Sequence, residues 1–317
     1  MTVNGKHIAI IGAGKVGASL GRGWARAGHP ILFGVTDPAD PRHAAAAAEA
    51  GNAVVATVAD AVRGAEILVL AVPWEAVPEA LAACGDLGGR ILIDATNPLT
   101  FGADGLELAI GFTDSGAEEV ARLAPAASVF KTMNQVGYSV MSDTQGYPAR
   151  PVMFVAGDDA ARKPDVLALV GELGFEAVDV GPLARARLLE PFAMVWIDQA
   201  LGHGAPTDNA FAFMRKAQAG RTVEYIRYVL TDHDPDTLVA AYGEAGKHLA
   251  AAPECLGYEL TQCAEDAASF ILRISWLSVE AHMNGFRRGP HFPPFLAAIQ
   301  PFIPEIAEMR HSGTAFA

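Results

Sequence analysis

Gly12-Ala13-Gly14-Lys15-Val16-Gly17 is a GxGxxG run that follows the apolar stretch His7 to Ile11 directly and opens a helical one. That is the context in which three glycines build a dinucleotide site. Gly12 permits a tight turn, Gly14 lets a pyrophosphate approach the backbone, and Gly17 lets helix and strand pack closely. The amides and dipole at the helix start then favour phosphate, with Ala13, Lys15 and Val16 in the same turn. The next strand ends Phe33-Gly34-Val35-Thr36-Asp37-Pro38, where an acidic residue ordinarily meets the ribose of NAD or a basic one the extra phosphate of NADP. Thr36 as a donor, with charge from Lys15 or Arg42, points to NADP. Asp37 as an acceptor points to NAD, unless Asp37-Pro38 is a helix N-cap followed by proline at the first position.

Other residues carry chemistry in less specific patterns. Lys131 closes an otherwise apolar strand, so its charge either reaches a cleft or finds a buried partner. Asn134 follows in the loop, placed to bind the nicotinamide amide or to cap a helix. Asp198 lies in the apolar segment Met194 to Leu201, where a polar group needs a partner unless it marks the solvated end of a helix. His203, in Gly202-His203-Gly204, has the intrinsic pKa of a mobile acid or base, though a loop histidine is commonly neither. Lys131, Asp198 and His203 are the candidates for the proton or charge stabilisation that reduction of a carbonyl or imine requires. His282 and His291 have no partner at metal-ligand spacing, and no metal site is expected. No P-loop with its GK[ST] ending is present, so kinase chemistry lacks support.

These residues need a scaffold. From Lys6 to about Gly181, apolar runs alternate with helical stretches: His7 to Ile11, Ile31 to Val35, Ile67 to Val72, Ile91 to Asp94, Val129 to Lys131, Val152 to Ala156 and Ala177 to Val180. The alternation predicts an α/β fold, a doubly wound parallel sheet of the Rossmann kind over residues 1–188. Ligands of such sheets bind beyond the carboxyl ends of the strands, which Val72 to Trp74, Asn97 to Thr100 and Thr132 to Gln135 all leave. Trp74 packs beside a cofactor or planar substrate there, or else fills a domain interface. Residues 189–317 predict an all-helical domain for substrate binding and dimerisation. Its helices are Phe192 to Leu201 opened by Pro191, Asn209 to Ala219, Arg221 to Leu230, Asp236 to Ala252 and a long one from Leu260 to Asn284. The stripe Leu260, Cys263, Ala267, Phe270, Ile271, Ile274, Leu277, Ala281 on that last helix would bury itself on a second subunit or fold back on its own chain.

The motifs resemble a known family, the 8-hydroxy-5-deazaflavin:NADP oxidoreductases, also described as NADP oxidoreductase, coenzyme F420-dependent. The resemblance rests on Gly12 to Gly17, Ala71-Val72-Pro73, Asp94-Ala95-Thr96-Asn97-Pro98-Leu99, Val129 to Asn134, and Gly181-Pro182-Leu183 to Pro191, and it covers roughly residues 5 to 215. It implies that Val72, Pro73 and Asn97 lie along the nicotinamide half of the cofactor, beside Trp74 and Pro98, and that the loop after Lys131 shapes the hydride-transfer site. It also implies NADP as cofactor and a deazaflavin as co-substrate. Family members commonly carry Ser-Arg after the second strand where this chain has Val35-Thr36, and their pattern ends near Met214, about a hundred residues before this chain does.

Composition bounds the remainder. At 317 residues with 51% hydrophobic and 19% charged residues, a large core is available. The net charge of -13 argues against nucleic acid or an anionic membrane as partner. The start MTVNGKHIAIIGAG has no signal core, so a cytosolic protein is expected, and Cys84, Cys255 and Cys263 match neither a disulfide framework nor a metal knuckle. Glu265, Asp266, Arg273 and Glu280 make the most apolar long segment, Leu260 to Gly285, a packed helix instead of a membrane span. Two functions remain: an NAD(P)-dependent oxidoreductase acting on a deazaflavin or on a small carbonyl or imine between its domains, or a dinucleotide-binding sensor or scaffold without turnover.

Overall fold

The computed structural model describes residues 5–51, 53–103, 105–214 and 221–313. The chain forms two units, Met1–Phe213 and Met214–Ala317. In the first, the strands are Ile8–Ile11 (β1), Ile31–Val35 (β2), Val54–Thr57 (β3), Ile67–Leu70 (β4), Ile91–Asp94 (β5), Leu99–Gly102 (β6), Gly105–Leu108 (β7), Ser128–Lys131 (β8), Val152–Gly157 (β9) and Glu176–Gly181 (β10). Eight of them form one sheet in the order β10-β9-β8-β5-β4-β1-β2-β3, while β6 and β7 pair as a separate hairpin. Neighbours in the large sheet run parallel except β8 and β9. The order departs in opposite directions from β1 and β4, and this switch point leaves a crevice beyond their carboxyl ends.

The strands β1, β4 and β5 are buried at every position; β1 and β4 are unbroken apolar runs, as strands covered on both faces are, and β5 is apolar up to Asp94 at its end. Ile8 and Ile10 of β1 enter one core with Leu20, Trp24 and Phe33, whereas Ile11 enters the other with Leu68, Leu70 and Leu92. The covering helices are Lys15–Arg26 (α1), Arg42–Glu49 (α2), Val58–Arg63 (α3), Val77–Cys84 (α4), Gly116–Leu123 (α5), Tyr138–Met141 (α6), Lys163–Glu172 (α7) and Ala186–Gly202 (α8). Trp24, fully buried, donates its indole N–H to the Leu169 carbonyl and so ties α1 to α7.

The Rossmann sheet agrees with the sequence reading, and two expectations beyond it need correction. The first unit extends to Phe213, not to residue 188. Helix α8 contains Pro191 within its length and buries Leu189, Ala193 and Trp196. Trp196 donates to the Asn209 carbonyl, and Val152 of β9 donates to the Phe211 carbonyl, so the segment after α8 is held to the same unit.

The second unit contains helices, but it is not all-helical. Thr222–Val229 (β11), Cys255–Gln262 (β12), Ser269–Trp276 (β13) and Ile306–Gly313 (β14) form an antiparallel sheet in the order β12-β13-β11-β14. With Pro235–Ala251 (α9) and Phe292–Ile299 (α10) the chain order is β-α-β-β-α-β, the split β-α-β arrangement of ferredoxin-like folds. The expected helix at 221–230 is β11, and the expected long helix is β12, β13 and the turns after them. The helix at 192–201 stands within α8, the one at 236–252 stands as α9, and a short helix after the Pro-rich piece stands as α10. Of 209–219, residues 209–214 are not helical and 215–219 lie outside the described residues. The stripe expected to bury itself on a second subunit or on its own chain therefore does not exist as a helix face. In β13, Phe270, Leu272, Ile274 and Trp276 are buried while Ile271, Arg273 and Ser275 point the other way, a period of two.

Candidate active site

The turn between β1 and α1 demands glycine at two of its three positions. Gly12 has φ +102°, and a Cβ there would sit 2.5 Å from the Ala71 carbonyl oxygen. A Cβ at Gly17 would lie 2.0 Å from the Gly12 carbonyl oxygen. Gly14 differs: it is exposed, and a Cβ would meet nothing within 4 Å. Its open side faces outward at the start of α1, where no side chain caps the helix and the first amides are left for a ligand.

A cavity of about 550 Å³ opens here at the β1 and β4 ends, lined by Gly12, Ala13, Thr36, Asp37, Asp40, Arg42, His43 and Val72 among others. Thr36 and Arg42 are exposed. The Arg42 guanidinium donates from Nε to Asp40 Oδ2 at 2.8 Å, and that bond holds the Asp40 carboxyl at about 2, well inside its charged range. Asp37 is no helix cap: its carboxylate accepts from the Ala39 amide in a tight turn, and Asp40 accepts from the amide that opens α2. His43 was not singled out in the sequence, although it follows Arg42 directly and lines the same cavity. Lys15 lies with its ammonium 5.2 Å from the Tyr138 ring centre.

The loops after β5 and β8 are locked together. Asn134 donates to Asn97 Oδ1 at 3.0 Å, and Asn97 donates to the Asn134 carbonyl at 3.1 Å. Gln135 bonds Asn134 Oδ1 and both backbone groups of Phe154. Between them Met133 is fully buried with φ +61°, a conformation costing about 1–2 kcal/mol for a residue with a side chain. The hydrogen bonds on either side hold it there. Thr132 is also buried, and its hydroxyl has no partner among the described residues. Val72 and Asn97 are half-buried and Pro73 exposed, while Trp74 packs partly buried into the core beside Val77 and Leu81.

The three candidate catalytic groups are not brought together. Lys131 is fully buried, and its ammonium donates to Asp94 Oδ2 at 2.9 Å and to the Thr96 carbonyl at 2.5 Å, with Glu190 Oε1 at 3.2 Å. Burial works against the charge, yet the pull of Asp94 and Glu190 outweighs it and raises the lysine above its ordinary pKa. Burial in turn raises the Glu190 carboxyl. Glu190 also accepts from the Gly116 and Ala117 amides, capping α5 from a distant helix. Lys131 therefore holds elements together and presents no ammonium to a cleft. Glu190 escaped the sequence reading, although a carboxylate just before Pro191 in an apolar helix was the available signal. Asp198 and His203 lie 3.2 Å apart at the end of α8, both more than half exposed.

Comparison with known proteins bears directly on this geometry. Residues 7–98 match the family model described as NADP oxidoreductase coenzyme F420-dependent. The F420-dependent NADP reductase of Methanothermobacter thermautotrophicus is 28% identical over 208 residues, which cover 60% of this chain and 88% of that protein. The solved structure of a candidate F420-dependent NADP reductase from Arthrobacter sp. FB24 is 32% identical with a TM-score of 0.61, and the match covers 67% of this chain and 100% of the other. The chain belongs to the F420-dependent NADP oxidoreductase family. As a member of that family it is an NADP-dependent oxidoreductase with a Rossmann fold. The rat metalloreductase STEAP3 is 27% identical over 183 residues, and this chain spans about a third, 35%, of its length.

The family's cofactor fits what the first unit offers. Gly14 leaves the space a Cβ would fill, α1 presents uncapped amides, and the cavity continues to Thr36, Arg42 and His43. Among the described residues no helix is long and apolar enough to cross a membrane.

Proposed function

We propose that the first unit binds NADPH along the crevice at β1 and β4 and exchanges hydride with a deazaflavin. The observation that carries this reading is the full-length match to the Arthrobacter structure by 67% of this chain. Met1–Phe213 makes up the same share of the chain and holds residues 7–98, which match the family model. In this reading the amides at the start of α1 hold the pyrophosphate, with Gly12, Ala13, Gly14, Lys15, Val16 and Gly17 forming the turn. Thr36, Arg42 and His43 take the 2′-phosphate, with Asp37 and Asp40 at its edge. Val72, Pro73, Trp74, Asn97, Pro98 and Asn134 border the nicotinamide. The bound coenzyme supplies the hydride, and transfer to a planar acceptor asks the protein for position and water exclusion more than for an acid or base. The locked Asn97–Asn134 pair and the held Met133 suit that demand. Asp198 and His203, paired in solvent, would serve a carbonyl or imine substrate only if the acceptor reached the end of α8.

The test follows nicotinamide absorbance with NADPH or NADH, with and without the deazaflavin coenzyme. NADPH oxidation that requires the deazaflavin is the expected result. Binding without oxidation by any acceptor would instead favour a sensor, and oxidation by carbonyls or imines alone would replace the substrate class.

The phosphate end gives its own expectation. Arg42→Ala weakens NADPH about tenfold, the worth of one charge-assisted hydrogen bond, and leaves NADH unchanged. Asp40→Asn releases Arg42 from its carboxylate and shifts preference further toward NADPH. Equal losses for both coenzymes in Arg42→Ala would remove Arg42 from the 2′-phosphate.

A further inference from the structure

The second unit brings together three side chains from distant parts of the sequence. Glu224 lies on β11, His311 is its cross-strand partner on β14, and His282 belongs to a one-turn π-helix, Ala281–Gly285, after β13. One ligand atom of each lies within 4.8 Å of the others. His282 Nδ1 faces His311 Nε2 at 2.7 Å and Glu224 Oε2 at 3.7 Å. Glu224 is 2% exposed, and while its Oε2 accepts from the Trp276 indole at 3.0 Å, its Oε1 has no hydrogen-bond partner among the described residues. A buried carboxylate oxygen without a partner is costly enough to require an explanation.

We propose that Glu224, His282 and His311 bind a divalent transition metal of the zinc type. Two imidazoles and one carboxylate are the donors such ions take. Tetrahedral ligands at ordinary zinc distances stand about 3.3 Å apart. The His–His contact has to open by about 0.6 Å and the Glu224–His282 contact to close by about 0.4 Å. The ring of His282 stacks on Trp276 at 4.3 Å with an interplanar angle of 6°, and the same indole orients Glu224, so one residue positions two ligands. Three protein ligands leave a coordination position open, and the cluster borders a cavity of about 200 Å³ lined by Ile226, Ile274, Phe286, Phe295 and Met309. Small π-helical turns are frequent where a fold builds a site.

Arg287 opposes the ion. Its Nε donates to His282 Nε2 at 3.3 Å, and a metal on Nδ1 puts the imidazole proton on Nε2, facing that donor. Arg287 must turn aside for the metal to bind, which sets the affinity below what the ligands alone would give.

Isothermal titration of the chelator-treated full chain with Zn²⁺ tests this. The wild type is expected to bind one ion per chain, His311→Ala and Glu224→Gln each to weaken it about a hundredfold or more, and Arg287→Ala to tighten it about threefold to tenfold. His311 is exposed, so its replacement is expected to leave the fold intact, and that variant separates ligand loss from unfolding. No binding by the wild type overturns the proposal, whatever Arg287→Ala does. So does binding that His311→Ala leaves unchanged.

Discussion

Lys131→Met is expected to destabilise the first unit by about 3–5 kcal/mol, because it removes the cation that pairs with two buried carboxylates. Asp94 and Glu190 are 0% and 1% exposed, so neither can recover its hydration without opening the core. For a unit of this size that loss lowers the melting temperature by roughly 10 °C. Glu190→Gln added to Lys131→Met recovers part of it, since one stranded charge is then gone while the glutamine carbonyl still accepts from an α5 amide. Thermal unfolding of the single and double variants, beside NADPH binding below the melting point, distinguishes structure from chemistry. A Lys131→Met protein that melts like the wild type and has lost only turnover would make the lysine a catalytic residue after all.

That lysine marks the limit of what the sequence discloses. A charge closing an apolar strand announces that a partner exists, and it does not say whether the partner is a ligand or a carboxylate 59 residues further along the chain, as Glu190 is. Local chemistry was legible wherever it depended on neighbours in sequence. The GxGxxG turn works through contacts within itself and with Ala71, and the strands β1, β2 and β4 are apolar throughout because both faces are covered. The edge strand β3 was not, since Val54 and Thr57 are exposed and four residues carry little pattern.

The second unit was misread for a related reason. Phe270, Ile271, Ile274 and Leu277 satisfy a helical spacing, while Phe270, Leu272, Ile274 and Trp276 in the same stretch satisfy an alternating one. Only the pairing of Leu272 with Ile226 and Leu260 across the sheet decides between them. Tertiary pairing of that kind has no local signature. The Glu224–His282–His311 cluster is hidden in the same way, for its members meet only after β11 and β14 have paired.

The glycine turn supports the sharpest contrast. Gly14→Ala is expected to fold and melt like the wild type yet to bind NADPH at least a hundredfold less tightly, roughly 2.7 kcal/mol or more. Gly14 has φ −74° and ψ −172°, a backbone any residue adopts, and its Cβ would enter empty space in the protein alone. That same space is where a pyrophosphate must approach the α1 amides, so the methyl group obstructs the ligand and not the fold. Gly17→Ala is expected to lose both properties. Its methyl would meet the Gly12 carbonyl oxygen at 2.0 Å, and separating the two moves α1 off β1, at a cost of about 1–3 kcal/mol for an overpacked contact. Melting curves and coenzyme titrations on the two variants form a single test. If Gly14→Ala binds NADPH normally, the pyrophosphate lies elsewhere and the crevice at β1 and β4 is not the coenzyme site. If both variants lose stability equally, the turn is only structural, and the difference between an open and a crowded glycine has no functional meaning here.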